Sequence, residues 1–483
     1  MAINATPTYS LQPSSKQVAL STNYITNFDF LNQYLPDVYE KEFERYGNRS
    51  ISSFLRMVSA ELPTDSDMIK WSEQGRLHTK YVDVGAATGT NGDAKVTFHV
   101  NDTISDYLAI RKGQTVMVTA NIGVGSNKGI VVAVNTTAAT FDVAFYETGG
   151  LAIAGTGVNE ADFTVFIYGS EFKKGTVGME GSLEAEDDIF DNSPIILKDN
   201  YEVSGSDMAQ IGWIEVTTEN GANGYLWYLK SESETRLRFD DYLETSMIEA
   251  VPAESGSGVA NATHNPTFGN KGSEGVFYTV GNRGNVWGGG NPSTLAEFDT
   301  VVSRLDKQGA IEENALFLDR GFSFDIDDML AAQSSNAAGG VSYGLFDNSE
   351  NMALNLGFNG FRRGYDFYKT DWKYLNDPTM RGGLKLGSGS GAIHGLLVPA
   401  GTTSVYDQVM GKNAKRPFLH VRYRKSSTED RKYKTWITGS AGGAATSDLD
   451  AMQVNFLSER AICTLGANNF FLFQRSEERR VGK

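Results

Sequence analysis

The feature that most constrains the fold of this 483-residue chain is a long stretch in which apolar and polar side chains alternate. The alternation runs from about Tyr81 to Tyr168 and is clear around Val96, Phe98 and Val100, where polar residues separate the apolar ones. A period of two residues predicts short β-strands that bury one face, and the Gly, Asn and Asp residues between the runs predict turns. Several such strands are typical of a small barrel or sandwich. We therefore predict an all-β domain over residues 81–170, inserted between segments with different patterns.

A long helix is predicted after this region, from Tyr225 to Ala250. Gly221 and Gly224 precede the helix and Pro252 follows it, as expected for its two ends. At 1.5 Å per residue it would span roughly 39 Å, far more than an average helix. One mostly apolar stripe follows spacings of three, four and seven residues: Tyr225, Leu229, Arg236, Phe239, Leu243, Met247 and Ala250.

The remaining segments mix helices and strands. Residues 1–30 are polar and without a period, which predicts an extended arm, and residues 31–60 have helical spacing in two pieces. Thr294 and Glu297 form a capping-box pattern that opens a helix ending at Gly309. Further segments predict a helix at 324–333 and strands at 315–318, 395–398, 418–423 and 454–457. This alternation indicates an α+β fold.

Composition excludes several classes of protein. The chain has 43 basic and 59 acidic residues, a net charge of −16, which is the wrong sign for a generic nucleic-acid-binding protein. Its single cysteine, Cys463, excludes internal disulfides and multi-cysteine metal sites. The sequence has no long uncharged apolar run and no signal-peptide layout at its start, so we expect neither a membrane-spanning nor a secreted protein.

Residue patterns that would indicate catalysis are scarce. The five histidines lie far apart without HxxxH or HxH spacing, so no metal site is predicted. The signatures of serine hydrolases and P-loop proteins are absent. Acidic clusters at 184–188 and at Asp325, Asp327 and Asp328 offer carboxylate pairs for a glycosidase, but the second group is also explained as the first turn of a helix. We predict no catalytic, cofactor-binding or metal-binding residues, and no cofactor.

Two charged clusters are the candidate interaction sites. The acidic cluster consists of Glu184, Glu186, Asp187 and Asp188. The basic cluster consists of Lys415, Arg416, Arg422, Arg424, Lys425, Arg431, Lys432 and Lys434. A solvated face or subunit contacts explain such clusters, and for the basic one a phosphate-binding strip is the alternative.

The order of the elements carries a resemblance to a known family. An arm and short helices precede a long β excursion, which returns through Ile195–Gly205, including the N-Y-x-V-S-G sequence of residues 200–205, into the long helix. An α/β region follows and ends in Met452–Ala467. This layout resembles the major capsid protein of tailed bacteriophages (Caudoviricetes), with the Johnson or HK-97-type fold. The segment Leu31–Glu40 and the overall layout look most like the crAss-like phages.

The resemblance implies an HK-97-type α+β capsid fold with an inserted small all-β domain. Its parts would be an N-terminal arm at 1–30, N-terminal helices and the start of the extended loop at 31–80, the inserted barrel-like domain at 81–170 and the returning loop at 171–205. The peripheral domain with its spine helix would occupy 206–309, and a mainly axial domain 310–445. Residues 446–474 would return to the peripheral domain.

The resemblance also implies partners and a location. The chain would be a structural protein of the virion, assembled in the cytoplasm of a bacterial host into homo-hexamers and homo-pentamers around double-stranded DNA bound without sequence specificity. A portal protein, a separate scaffolding protein and auxiliary or head-fibre proteins would be its other partners. Some relatives cross-link a lysine between protomers, and Lys173 and Lys174 lie in a suitable loop, but salt bridges to Glu184–Asp188 of a neighbour explain these lysines equally well.

Two other classes of protein remain open from the sequence. One is a structural protein of a phage tail or baseplate, which would share the acidic, glycine-rich composition and the β-strand pattern but would not need the long helix. The other is an acidic secreted carbohydrate-binding or glycosidase-like protein, which would need a working carboxylate pair. Residues 475–483 interrupt an apolar ending at Asn469–Gln474, and we expect them to be a non-native tail.

Overall fold

A computed structural model describes residues 54–88, 94–100, 108–120, 126–151, 163–181, 187–209, 215–217, 223–261, 263, 269–289, 291–309, 311–335, 360–384, 393–407, 412–441 and 445–474. The chain forms two compact units. One unit is the continuous segment Ser72–Phe190, and the other combines the residues before and after it. The predicted arm and first helix, at 1–53, and the tail at 475–483 lie outside the described residues.

The strands in chain order are β1 (Ala60–Thr64), β2 (Ile69–Gln74), β3 (Lys80–Thr88), β4 (Lys95–Val100), β5 (Gln114–Ala120), β6 (Ser126–Asn135), β7 (Thr140–Phe145), β8 (Phe163–Ser170), β9 (Asp187–Asn192), β10 (Ile195–Ser204), β11 (Glu215–Thr217), β12 (Asn223–Tyr225), β13 (Asn285–Trp287), β14 (Glu313–Leu318), β15 (Gly360–Arg363), β16 (Tyr365–Asp371), β17 (Ile393–Pro399), β18 (Thr402–Asp407), β19 (Lys412–Pro417), β20 (Leu419–Arg424), β21 (Lys434–Gly439), β22 (Ala451–Thr464) and β23 (Phe471–Gln474). The α-helices are α1 (Phe54–Val58), α2 (Gly205–Ala209), α3 (Leu226–Glu249), α4 (Val276–Arg283), α5 (Leu295–Gln308), α6 (Arg320–Ser335) and α7 (Lys373–Asn376).

A closed barrel forms the centre of the unit Ser72–Phe190. Its strands follow each other around the barrel in the order β3, β4, β7, β6, β5 and β8, and each neighbouring pair is antiparallel. Alternate residues point inward, so that Val96 and Phe98 on β4 and Val116 and Val118 on β5 are almost fully buried. The rings of Phe98, Phe141 and Phe163 meet in the interior, with centroids 5.5 to 5.7 Å from that of Phe98. Closure pairs both edges of the sheet, which leaves no free edge strand.

The long helix of the other unit packs on a five-stranded sheet. The sheet has the order β1, β20, β22 and β10, with β21 also paired to β22. The antiparallel pair of β10 and β22 is continuous from Ile195 opposite Arg460 to Ser204 opposite Ala451. Phe239 and Leu243 on α3 contact Met452, Val454 and Phe456 on β22 in one buried cluster. The sheet is thereby covered on this face by α3.

A six-stranded mixed sheet forms the rest of this unit, in the order β13, β23, β17, β14, β16 and β15. Helices α5 and α6 bury Phe298, Val301, Phe322 and Ile326 against strand residues that include Phe367. The predicted capping box of α5 is present: the Thr294 side chain accepts a hydrogen bond from Glu297 N, the Glu297 side chain accepts one from Thr294 N, and Gly309 ends the helix in the left-handed conformation at φ 72°. A third cluster, which includes Phe54, Met247, Leu396, Val421 and Ile462, connects elements of both sheets.

The predicted secondary structure is largely confirmed, and the long helix differs from its predicted ends by one residue at each side. The residues that α3 buries differ more from the predicted apolar stripe. Phe239, Leu243 and Met247 are buried as predicted, but Arg236 is exposed, and Asp241, Glu244 and Ile248 are buried instead. The side chains of residues 225 and 229 lie outside the described ones.

The two larger sheets take strands from several of the expected segments. Residues 310–445, expected to be mainly axial, supply β14 to β17 to the six-stranded sheet but β20 and β21 to the five-stranded sheet. The return segment 446–474 likewise divides, because β22 joins the five-stranded sheet and β23 the six-stranded one. Strands that pair are often far apart in the sequence, so the hydrophobic pattern predicts where a strand lies but not which strand it pairs with.

Candidate assembly surfaces

The basic cluster between Lys415 and Lys434 lies on β19, β20, β21 and the turn between the last two strands. Arg424 donates a hydrogen bond to Asp67 over 2.7 Å. Within the turn, Lys425 lies 2.8 Å from Asp430 and Lys434 lies 2.7 Å from Glu429. Three of the eight cations of the cluster therefore have carboxylate partners in the same chain.

Arg431 and Lys432 connect this cluster to more distant strands. Arg431 lies 2.8 Å from Glu459 on β22, and Lys432 forms an ion pair with Glu61 on β1. Arg460 lies 3.7 Å from the same Glu61 carboxylate and donates hydrogen bonds to Ser458 Oγ at 2.9 Å and to the Lys432 carbonyl at 3.1 Å. Burial lowers the pKa of the Arg460 guanidinium, and Glu61 partly offsets this effect.

A pocket of about 610 Å³ lies beside this group, between α1, β1, β20, β22 and α3. It is lined by equal numbers of cationic and anionic side chains, with a few apolar ones: Leu55, Arg56, Ser59, Glu61, Asp240, Leu243, Glu244, Val421, Lys432, Tyr433 and Arg460. The buried Glu244 carboxylate accepts a hydrogen bond from Phe54 N at 3.1 Å, which fixes the start of α1 to α3. Burial, followed by the charge of Asp240, raises the pKa of Tyr433. The balance of charges indicates a role in holding elements together within the chain.

The two remaining arginines of the basic cluster face a buried histidine. Arg416 and Arg422 are partly buried, and both act on His420, which is 4% exposed. Burial first, and then these two cations, lower the pKa of His420 to about 4. Burial also raises the pKa of the neighbouring Cys463 thiol to about 12. Both groups are therefore neutral at neutral pH and unsuited to act as an acid or a nucleophile there.

The acidic cluster is only partly described. Asp187 and Asp188 lie at the start of β9 and are exposed, whereas Glu184 and Glu186 fall outside the described residues. Neither aspartate makes an ion pair with another described residue. Asp187 and Asp188 of the acidic cluster are therefore available to bind a partner, whereas most of the described cations of the basic cluster have partners within the chain.

Two of the three predicted carboxylates on α6, Asp325 and Asp327, have structural partners, and Asp328 is exposed. Their predicted position in the first turn is wrong because the helix begins at Arg320. Asp325 accepts a hydrogen bond from Asn291 at 2.7 Å, and Asp327 lies 2.5 Å from Lys369. Asp319 accepts a hydrogen bond from Phe322 N at 2.7 Å and lies 2.9 Å from His394 Nδ1. Among the residues that the structure describes, no group of three or more His, Cys, Asp or Glu side chains is arranged to hold a metal ion.

The described helices include none that is long and apolar enough to cross a membrane. No family model matches the chain, and no curated protein matches it in sequence.

Solved structures to which the chain is similar come from phage and related particles. The capsid of a native GTA particle is 9% identical with a TM-score of 0.36, and the match covers 92% of this chain and 96% of that one. A chain from Microbacterium phage Oxtober96 is 8% identical with a TM-score of 0.36, covering 91% and 96%. A chain from the cyanophage Pam1 capsid is 10% identical with a TM-score of 0.35, covering 64% and 82%. Similarity at this level does not establish a function.

Proposed function

We propose that the chain is the major capsid protein of a tailed bacteriophage with an HK-97-type fold, most like those of crAss-like phages. The observation that carries this proposal is the passage from the barrel-bearing segment through β10 into α3, with α3 packed on β10 and β22. In the family that the sequence resembles, an extended loop leads in this way to the spine helix of the peripheral domain. The barrel then corresponds to a small all-β domain inserted in the extended loop.

The five-stranded sheet with α3 corresponds to the peripheral domain, and the six-stranded sheet with α5 and α6 to the axial domain. This assignment moves β20 and β21, at residues 419–439, from the axial to the peripheral domain, and it moves β13, α5 and β23 from the peripheral to the axial domain. Many copies would form hexamers and pentamers of an icosahedral shell around double-stranded DNA. The net charge of −16 supports this role, because an acidic wall repels packaged phosphates except at selected contacts.

The proposed setting is the virion, with assembly in the host cytoplasm and with portal, scaffolding and auxiliary proteins as further partners. The test is to express the full chain, alone and with a candidate scaffolding protein from the same genome, and to examine it by negative-stain microscopy and sedimentation velocity. We expect closed particles or capsomers of five and six subunits. A chain that stays monomeric at high concentration in both conditions would contradict the proposal.

A further inference from the structure

Outward-facing side chains of four barrel strands and one adjoining turn form one continuous row. Lys80 on β3 lies opposite Phe166 on β8, Phe166 lies opposite Met117 on β5, and Met117 lies opposite Lys128 on β6. The row continues into the turn after β7, where Tyr146 N donates a hydrogen bond to the Lys128 carbonyl at 3.1 Å. We call this row, together with Tyr168, the barrel patch.

The barrel patch exposes an unusual amount of aromatic surface. Phe166, Tyr168 and Tyr146 are 37%, 46% and 50% exposed, while Val165, next to Phe166, is fully buried in the barrel. The Lys128 ammonium lies 5.8 Å from the centroid of the Tyr168 ring, so the aromatic and cationic groups form one surface. Clusters of exposed aromatic side chains on soluble proteins mark surfaces that bind a partner.

The charge of the patch indicates what kind of partner it fits. Lys80 and Lys128 are exposed, and neither makes an ion pair with another described residue. They flank the aromatic residues and give the patch two cations in a chain whose net charge is −16. At the Tyr146 end of the patch, the tyrosine hydroxyl donates a hydrogen bond to the Glu171 carboxylate. A complementary partner carries carboxylates next to an apolar side chain.

The start of β9 has this composition. Asp187, Asp188 and Ile189 are all exposed, and Ile189 is 70% exposed. Because side chains alternate along a strand, Asp187 and Ile189 lie on the same face. The aspartates make no ion pair among the described residues, in contrast to the acidic partners of the basic cluster at 424–434.

We propose that the barrel patch of one copy binds the segment Asp187–Ile189 of a second copy, with the Asp187 carboxylate beside Lys80 and Lys128 and with Ile189 on Phe166 and Met117. The inference rests on the proposed function, since it names a contact through which copies of the chain associate. The basic cluster is not part of this contact, because five of its cations are paired with carboxylates of the same chain.

A cross-link between copies tests the contact without requiring a shell. Two full-length chains are made separately, one with Met117→Cys and one with Ile189→Cys, and are then mixed and oxidised with copper phenanthroline. Native Cys463 is 1% exposed and gives little background. We expect a disulfide-linked dimer that forms only in the mixture and at least about tenfold faster than in the control mixture of Val177→Cys with Ile189→Cys, since Val177 is exposed outside the patch at 86%. Equal rates in the two mixtures would overturn the inference.

Reversing the charges on each side of the contact is the second test. The double variant K80E/K128E should associate about tenfold more weakly than the original chain, because each exposed pair contributes a factor of about two to five. The variant D187K/D188K should be weakened similarly, and mixing the two variants should restore association. The matched control K112E/K198E reverses two other exposed lysines of the chain, both outside the patch, and should change association less than twofold.

The outcomes separate this inference from the proposed function. Normal particles without the specific cross-link and without restoration in the mixture would overturn the inference and leave the capsid proposal standing. Specific cross-links without closed particles would support the contact and contradict the shell. If K80E/K128E weakens binding to oligosaccharides or single-stranded DNA while D187K/D188K changes nothing, the patch binds a different ligand and the inference is wrong.

Discussion

Replacing Leu243 by alanine tests whether the face of α3 that packs on β22 stabilises the larger unit. Leu243 is 5% exposed and contacts the cluster formed by Phe239 and Phe456. The substitution removes three carbon atoms, which at about 0.8 kcal/mol per buried methylene corresponds to about 2.4 kcal/mol. Leu243 also lines the pocket of about 610 Å³, so the space left by the side chain joins an existing pocket and adds little. We expect a loss near the lower end of the usual range of about 2–5 kcal/mol.

The same helix offers a matched control. Leu237 is 40% exposed, so the same substitution there removes less buried apolar surface and should cost about 1.4 kcal/mol. Helix propensity is changed equally in the two variants, which isolates the contribution of burial. The expected difference of about 1 kcal/mol is roughly a fivefold change in the unfolding equilibrium.

The measurement is calorimetry combined with urea unfolding of the full chain. Because the chain forms two compact units, a single two-state transition is not expected, and each transition is followed separately. Leu243→Ala should lower the transition of the larger unit and leave that of Ser72–Phe190 unchanged. Equal losses for Leu243→Ala and Leu237→Ala, or a shift of the barrel transition, would refute the reasoning.

Three further predictions follow from the described contacts. Residues 72–190 expressed alone should melt cooperatively with dispersed amide signals, because the barrel buries its own core, and a collapsed amide spectrum would contradict the unit. The pKa of His420 is lowered to about 4, so the unfolded chain binds a proton at higher pH than the folded chain does. The free energy of unfolding should therefore fall by up to about 3 kcal/mol as the pH drops from 6.5 to 4. His420→Gln should flatten this part of the pH profile measured by urea unfolding. The Cys463 thiol, buried and with a raised pKa, should react with Ellman's reagent only after unfolding, and rapid reaction of the native chain would contradict its burial.

The local elements could be predicted from the sequence because their signals are local. The capping box at Thr294, the left-handed glycine at Gly309 and the alternation around Phe98 each reflect interactions within a few residues. The long helix was located within one residue at each end for the same reason. What the sequence could not provide was the pairing of β20, β21 and β23, since residues of similar pattern pair across long sequence separations.

Candidate surfaces were harder to predict than elements, and the two charged groups show why. The basic cluster in the sequence forms internal ion pairs because three carboxylates from elsewhere in the chain lie next to it in the fold: Asp67 between β1 and β2, Glu459 on β22 and Glu61 on β1. The barrel patch is the opposite case. Lys80 and Lys128 are far apart in the sequence and lie in one row through the register of four strands, with Phe166 and Met117 between them.

This difference changes how electrostatic tests of assembly must be interpreted. Salt weakens exposed ion pairs within a protomer, such as Lys434 with Glu429, as well as exposed pairs between copies. A loss of association at high salt therefore does not distinguish a weakened subunit contact from a loosened turn between β20 and β21. Reversing Lys80 and Lys128 leaves those internal pairs intact, and restoration by the reversed Asp187 and Asp188 requires two copies to meet. Charge exchange, rather than salt, is consequently the measurement that assigns the acidic segment to its partner.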